Sequence, residues 1–230
     1  AVVRKGLKLA PQSAEGLNLL GIIYDQQKRY PEAITAFKEA VRLAPNSTAT
    51  HNNLGKSYFS HRRYDFAEAE FRTTLRLDPR NGDANYNLGV VLLAKGDAAQ
   101  AITYLNHARS SDPAVMLNLA QAYFRAGQPA KGLEVSGALS AQAQNDERVH
   151  FSLGVMLAAE KQYAAAVHEF ERAHALSPRT FEILFNLGQA HLRAARLAHR
   201  ARKRAHARQH LQSRFSLITT GFLHTSFTVP

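Results

Sequence analysis

Histidine is the residue type here with the widest chemical reach, and its distribution speaks against catalysis. The chain has 230 residues, 11 of them histidine and none cysteine. His51, His61, His107, His150, His168, His174 and His191 are spread along the sequence, with no paired carboxylates at a fixed spacing to form an acid–base couple. His206 and His210 stand one helical turn apart and could share a metal. Only His199 offers a further ligand nearby, so a solvated basic helix is the better reading. Without cysteine there is neither a thiolate site nor a disulfide. Gly21, Gly55 and Gly89 are isolated among larger residues and make no phosphate loop. The Tyr and Phe residues read as core packing, not as a cofactor box. No enzyme, cofactor or metal is expected.

Charge and hydropathy narrow the remaining classes. The formal net charge is +11, but residues 183–230 carry eight Arg or Lys and no acidic residue. The basic character therefore belongs to the tail and says little about the body. No run of about 18 apolar residues occurs, so no membrane span is expected. The first residues, AVVRKGLKLAP, are too short and too mixed for a signal peptide. The cytoplasm is the favoured location, with the periplasm left open.

What must position any functional side chain is an internal repeat. Pro11, Pro45, Pro79 and Pro113 are 34 residues apart. Leu20-Gly21 recurs as Leu54-Gly55 and Leu88-Gly89, then as Leu119-Ala120, Leu153-Gly154 and Leu187-Gly188. The step from 88 to 119 is 31, which predicts a shortened turn between two units. Within a unit, Leu17, Leu20, Ile23 and Tyr24 share one helical face, and Ala33, Phe37, Ala40 and Val41 share another. Gln27-Lys28-Arg29-Tyr30 makes the turn, and Pro31 suits the first turn of the second helix. Gly21 and Ala33 allow the two helices to approach, and Phe37 fills the space beside them. The units run 14–47, 48–81, 82–113, 114–146 and 147–180. Residues 114–146 are degenerate, with Gly132, Ser136 and Leu139 in the second helix. Residues 1–13 fit only a preceding second helix, through Leu7, Leu9 and Pro11, so upstream repeats are expected. Residues 181–195 read as the first helix of a further unit.

This pattern resembles the tetratricopeptide repeat (TPR) family over roughly residues 1–195. Residues 14–47 carry it as Leu17, Leu20-Gly21, Tyr24, Ala33, Phe37, Ala40 and Pro45. The resemblance implies an all-α, right-handed solenoid of stacked helix-turn-helix hairpins whose first helices line the concave side. It also implies a non-enzymatic scaffold that binds a protein or peptide in the concave groove.

The groove positions follow from that resemblance. The residue before the Leu is Asn53, Asn87, Asn118 and Asn186 in four units, and Leu19 and Ser152 in two. An asparagine amide both donates and accepts, so a row of them can hold an extended backbone with little regard for its sequence. The row resembles the asparagine ladder of the TPR domain of O-linked N-acetylglucosamine transferases. The competing reading gives these residues to helix packing and capping. Asn52, Lys56 and Phe59 are expected beside them, then Tyr86, Val90 and Leu93. Leu117, Gln121, Phe124 and Arg125 follow, then Phe151 and Val155, then Phe185, Gln189 and Arg193. Polar residues thus lead toward apolar anchors in the C-terminal half. A clamp for a chaperone's terminal carboxylate is disfavoured, because its basic positions hold Asp83 and Asn87, or Glu15 and Leu19.

The tail, 196–230, keeps three readings open: a basic helix capping the stack, an arm for nucleic acid or acidic partners, or a frame change in the gene. Nucleic acid is the least favoured partner, since no aromatics interleave the arginines. Self-association through the open ends is a further possibility. A second functional reading makes the chain the substrate-recruiting arm of a larger enzyme, such as a protein glycosyltransferase.

Overall fold

The computed structural model describes residues 13–108 and 111–224. The expected partial unit at 1–13, with Leu7, Leu9 and Pro11, lies outside them except for Ser13. Eleven helices occur among the described residues, and the chain divides into two compact units, residues 1–142 and 143–230. The first holds α1 (Ala14–Gln26), α2 (Tyr30–Leu43), α3 (Thr48–Ser60), α4 (Tyr64–Leu77), α5 (Gly82–Lys95), α6 (Ala98–His107), α7 (Pro113–Arg125) and α8 (Pro129–Gln142). The second holds α9 (Glu147–Ala159), α10 (Tyr163–Leu176) and α11 (Phe181–His224). The fold is an all-α helical-repeat solenoid.

The first helices start at side-chain caps. Ser13, Ser47, Asn81, Asp112 and Asp146 accept from amides two or three residues on, satisfying donors that a helix start leaves open. Five first helices, α1, α3, α5, α7 and α9, then end in the same reversal. Lys28, Arg62, Gly96, Gly127 and Lys161 all have positive φ, between 58° and 87°. The next amide donates back to a carbonyl five residues earlier: Arg29 to Tyr24 at 2.9 Å, Arg63 to Tyr58 at 2.8 Å, Gln162 to Leu157 at 2.8 Å. This is a Schellman closure, and it turns the chain within three residues. Only two of its five left-handed positions use glycine.

The shortened repeat has a different origin from the one expected. Helix α6 has 10 residues where α2, α4, α8 and α10 have 14. The deletion removes the last turn of a helix, not residues from the turn between units. Pro113 moves accordingly. Pro45 and Pro79 lie between helices, whereas Pro113 is the first residue of α7, where a missing N–H is harmless. Its 34-residue match to Pro79 is therefore not structural equivalence.

Packing within a hairpin depends on a hole and a knob. A Cβ built on Gly55 would lie 2.7 Å from the Phe71 ring, and one on Gly21 would lie 2.6 Å from Phe37. Leu105 fills the same place over Gly89, and Phe170 over Gly154. Phe37, Phe71 and Phe170 are buried, as are Ala33, Ala67 and Ala166 beside them. Burying one such ring stabilises by about 1.5–3 kcal/mol. The degenerate hairpin α7–α8 reverses the arrangement. There the hole is Gly132 on the second helix, and a Cβ on it would fall 2.9 Å from Phe124 of the first. Ser136, standing where the other units have Phe or Leu, is buried with its hydroxyl donated to the Gly132 carbonyl at 2.8 Å.

Residues 181–224 form one helix. Among the described residues, no helix is long and apolar enough to cross a membrane.

Candidate peptide-binding groove

In the first unit, neighbouring hairpins pack chiefly through a second helix on the next first helix, α2 on α3, α4 on α5 and α6 on α7, and their first helices also meet along a narrower seam, α1 on α3, α3 on α5 and α5 on α7. The residues expected to face a ligand lie along this seam, where short side chains can bridge. Asn53 donates to Asn18 Oδ1 at 3.2 Å, Asn87 to Asn52 Oδ1 at 3.1 Å, and Asn118 to the Tyr86 hydroxyl at 3.2 Å. The residue one before each Leu thus reaches the residue two before the Leu of the preceding unit. All six are half-buried. Burial, and after it the Asp112 carboxylate, raises the pKa of the Tyr86 phenol, while donation from Asn118 opposes this. The hydroxyl therefore stays protonated and keeps a donor of its own.

Beside the seam, Lys56, Phe59, Ser60, Phe71, Asn87 and Val90 enclose a cavity of about 150 Å³. Lys56 is exposed at its mouth, and Phe59 and Val90 are half-buried in its walls. This brings Lys56, Asn87 and Val90 together as the repeat register implied. Among the more C-terminal positions of this unit, Phe124 is half-buried and Arg125 is exposed. The Phe124 ring is turned onto Gly132 inside its own hairpin, so its place is accounted for by packing. The Arg125 guanidinium donates to the Leu93 carbonyl at 3.4 Å, near the C-terminus of α5 where open carbonyls gather. Leu117 and Gln121 are half-buried, and Leu93 is buried.

In the second unit, Phe151 is half-buried with its ring 5.9 Å from that of Phe170. Asn186 donates to the Glu182 carbonyl of its own helix at 2.8 Å. Phe185 is 54% exposed, and Val155, Gln189 and Arg193 are exposed.

Outside the seam, longer side chains carry the joints between hairpins. Arg72 of α4 donates to the Tyr104 hydroxyl at 2.9 Å and to Gln100 at 3.1 Å, both on α6. Lys95 of α5 reaches Asp65 at 2.6 Å and Glu68 at 2.7 Å on α4. The Lys95 ammonium is the chief cause holding the Glu68 carboxyl below its ordinary range; partial burial opposes it and Arg72 adds to it.

Several contributors were not singled out from the sequence. Asn18 belongs to the ladder, and its signal was the position it shares with Asn52. The scattered histidines also conceal an order. His51 Nδ1 lies 2.6 Å from Glu70, and His150 Nδ1 lies 2.7 Å from Glu169, nineteen residues downstream in both cases. His51 Nε2 donates to the Pro45 carbonyl at 2.9 Å, tying the hairpin to the turn before it. His150 is wholly buried, and its Nε2 has no partner. These pairs sit inside hairpins, and the second Glu169 oxygen also meets His168 Nδ1 at 3.3 Å. Among the described residues no three His, Asp or Glu gather as a metal site would require.

Comparison with known proteins agrees with this architecture. Family models of the tetratricopeptide repeat match residues 14–47, 52–115, 117–178 and 161–202. No curated protein matches the sequence. Among solved structures, MamA 41-end from Desulfovibrio magneticus RS-1 is similar at a TM-score of 0.64 with 22% identity, over 73% of this chain and 97% of that one. YrrB, described as a TPR protein with an unusual peptide-binding site, is similar at 0.62 with 19% identity, over 80% and 97%. Pseudomonas aeruginosa pilF is similar at 0.60 with 20% identity, over 80% and 91%. With the repeat units matched over most of the length and the hairpins stacked as described, the chain belongs to the tetratricopeptide repeat family.

Proposed function

We propose that this protein is a non-enzymatic scaffold that binds a protein or peptide segment along the first helices of residues 14–125. Interaction with proteins or peptides is what this repeat fold supplies in general, through the extended face its repeats present. The observation that supports the groove is the amide seam Asn18–Asn53, Asn52–Asn87 and Tyr86–Asn118 beside the Lys56 cavity. Asn53 and Asn87 each give one amide proton to a neighbour and retain a carbonyl oxygen and a second proton for a ligand backbone, whereas Asn118 also donates to the Ala114 carbonyl at 2.8 Å and retains its oxygen. Lys56 adds a cation at the cavity mouth, and Phe59 and Val90 an apolar wall. A short apolar side chain followed by a carboxylate fits that combination. The peptide-binding site described for YrrB, a structure of the same fold, is consistent with this reading.

Each backbone hydrogen bond adds about 0.5–1.5 kcal/mol net, so micromolar affinity requires the whole ladder. The test is the full chain on a random peptide array, wild type against Asn53→Ala/Asn87→Ala/Asn118→Ala, with helicity monitored in parallel. Peptides retained by the wild type are expected to weaken by about tenfold or more on the variant. Equal retention by a folded variant rejects the groove.

A further inference from the structure

Four first helices carry a glycine whose missing side chain is replaced by a knob from their own second helix. The knob follows the glycine by sixteen residues each time: Gly21 and Phe37, Gly55 and Phe71, Gly89 and Leu105, Gly154 and Phe170. Gly188 holds the same place in α11, and a Cβ there would meet nothing within 4 Å. Sixteen residues on stands Arg204, exposed and still on the same helix, so this stretch does not fold back to fill the hole. Leu184 and His191 are exposed, whereas the equivalent His51 and Tyr58 of α3 are buried beneath α4. Phe181 and Phe185 extend the open face, stacked at 6.1 Å and 77% and 54% exposed. The opposite face of α11, with Ile183 and Ala190, is buried and packs toward α10.

We propose that this open face of α11 docks an acidic amphipathic helix of another protein, laid antiparallel with an aromatic side chain seated at Gly188. The four filled holes specify the shape of the occupant: an aromatic or leucine knob, with a small residue four positions before it. Charge specifies the rest. From residue 183 onward there is no acidic side chain, and Arg196 and Arg200 follow the hole along α11, while Arg193 lies over the Tyr163 ring of α10 at 6.0 Å. In an antiparallel helix the residues ahead of the knob come alongside these arginines, so acidic residues belong there. A second copy of this chain is a poorer occupant. Its described second helices are already seated in their own hairpins, and α11 against α11 would bring like charges together. The site lies in the second unit and does not rest on the groove of the first.

The probe is a labelled peptide with the sequence of residues 64–77, which places Asp65, Glu68 and Glu70 ahead of Phe71. Anisotropy with the full chain should show saturable binding that weakens by about tenfold or more when the peptide carries Phe71→Ala. Gly188→Leu in the chain should weaken it equally, by filling the hole. Leucine meets no neighbour there and favours helix over glycine, so the variant should melt no lower than the wild type. Arg196→Ala/Arg200→Ala should weaken binding and flatten its salt dependence, whereas Asn53→Ala/Asn87→Ala/Asn118→Ala should leave it unchanged. The proposal is overturned by no binding to the wild type, or by equal binding to Gly188→Leu. It is also overturned if sedimentation shows a dimer that Gly188→Leu dissociates and the peptide does not compete with, since the occupant is then a second copy.

Discussion

Hairpins α3–α4 and α7–α8 solve one packing problem in opposite senses. In α3–α4 the hole is Gly55 on the first helix and the knob is Phe71 on the second; in α7–α8 the knob is Phe124 on the first and the hole is Gly132 on the second. Both place one aromatic ring against one bare backbone. What the repeat requires is therefore a filled volume at the crossing of two helices, and either helix can supply it. A family pattern that fixes glycine and phenylalanine at set positions describes the commoner solution and overlooks the reverse one.

Truncating the knobs tests this most severely. Phe71→Ala and Phe124→Ala should each lower stability by about 3–5 kcal/mol in denaturant melts, whereas Ser136→Ala, at the place where Phe71 has its counterpart, should cost about 1 kcal/mol. A small loss at Phe124 would show that α7–α8 is held by something other than the reversed knob. Next in size, filling the holes should cost about 1–3 kcal/mol in both hairpins, by Gly55→Ala and by Gly132→Ala, because an added methyl meets a ring at under 3 Å.

A smaller effect separates the hairpins by their ionic ties. Glu68 bridges Lys95 and Arg72, and its carboxyl is held below the ordinary range chiefly by Lys95. A depressed folded value means its stabilisation is present above the unfolded pKa of about 4.3 and is lost as pH falls through the lower folded value. Wild type and Glu68→Gln should thus differ by up to about 1 kcal/mol at neutral pH and converge in acid. A gap that persists at low pH would exclude the carboxylate as its cause. Smallest of all, Arg62→Gly should raise stability by about 0.5–1 kcal/mol, since Arg62 holds φ 58° where α5 and α7 end in glycine. The same change at Arg63 has no such reason to stabilise.

Much of this architecture is legible in the residues alone. Leu-Gly at fixed intervals, proline between hairpins and paired amphipathic faces locate the helices, because each is a local requirement. The 31-residue step was visible too, but spacing alone could not tell a shorter turn from a shorter helix, and α6 proved to be the part that changed. The repeat register places Phe124 among the groove positions, but that its ring lies on Gly132 is not legible, because a contact across two helices leaves no mark in either one. The histidines looked scattered for the same reason: His51 and His150 acquire order only from Glu70 and Glu169 on the facing helix. The asparagine positions could be read in advance, but their pairing with Asn18, Asn52 and Tyr86 depends on how closely neighbouring hairpins approach.

That pairing has a mechanical consequence. Within the first unit the first helices are joined by single amide contacts, while Arg72 and Lys95 tie α4 to the hairpin after it through long, pliable side chains. If the proposed groove holds the ligand, a chain that takes the second amide proton of Asn53 or Asn87 leaves the joint intact, and one that takes the first gives it up. Binding and stiffness would then be coupled, and the spacing of adjacent first helices would report how the cargo is held.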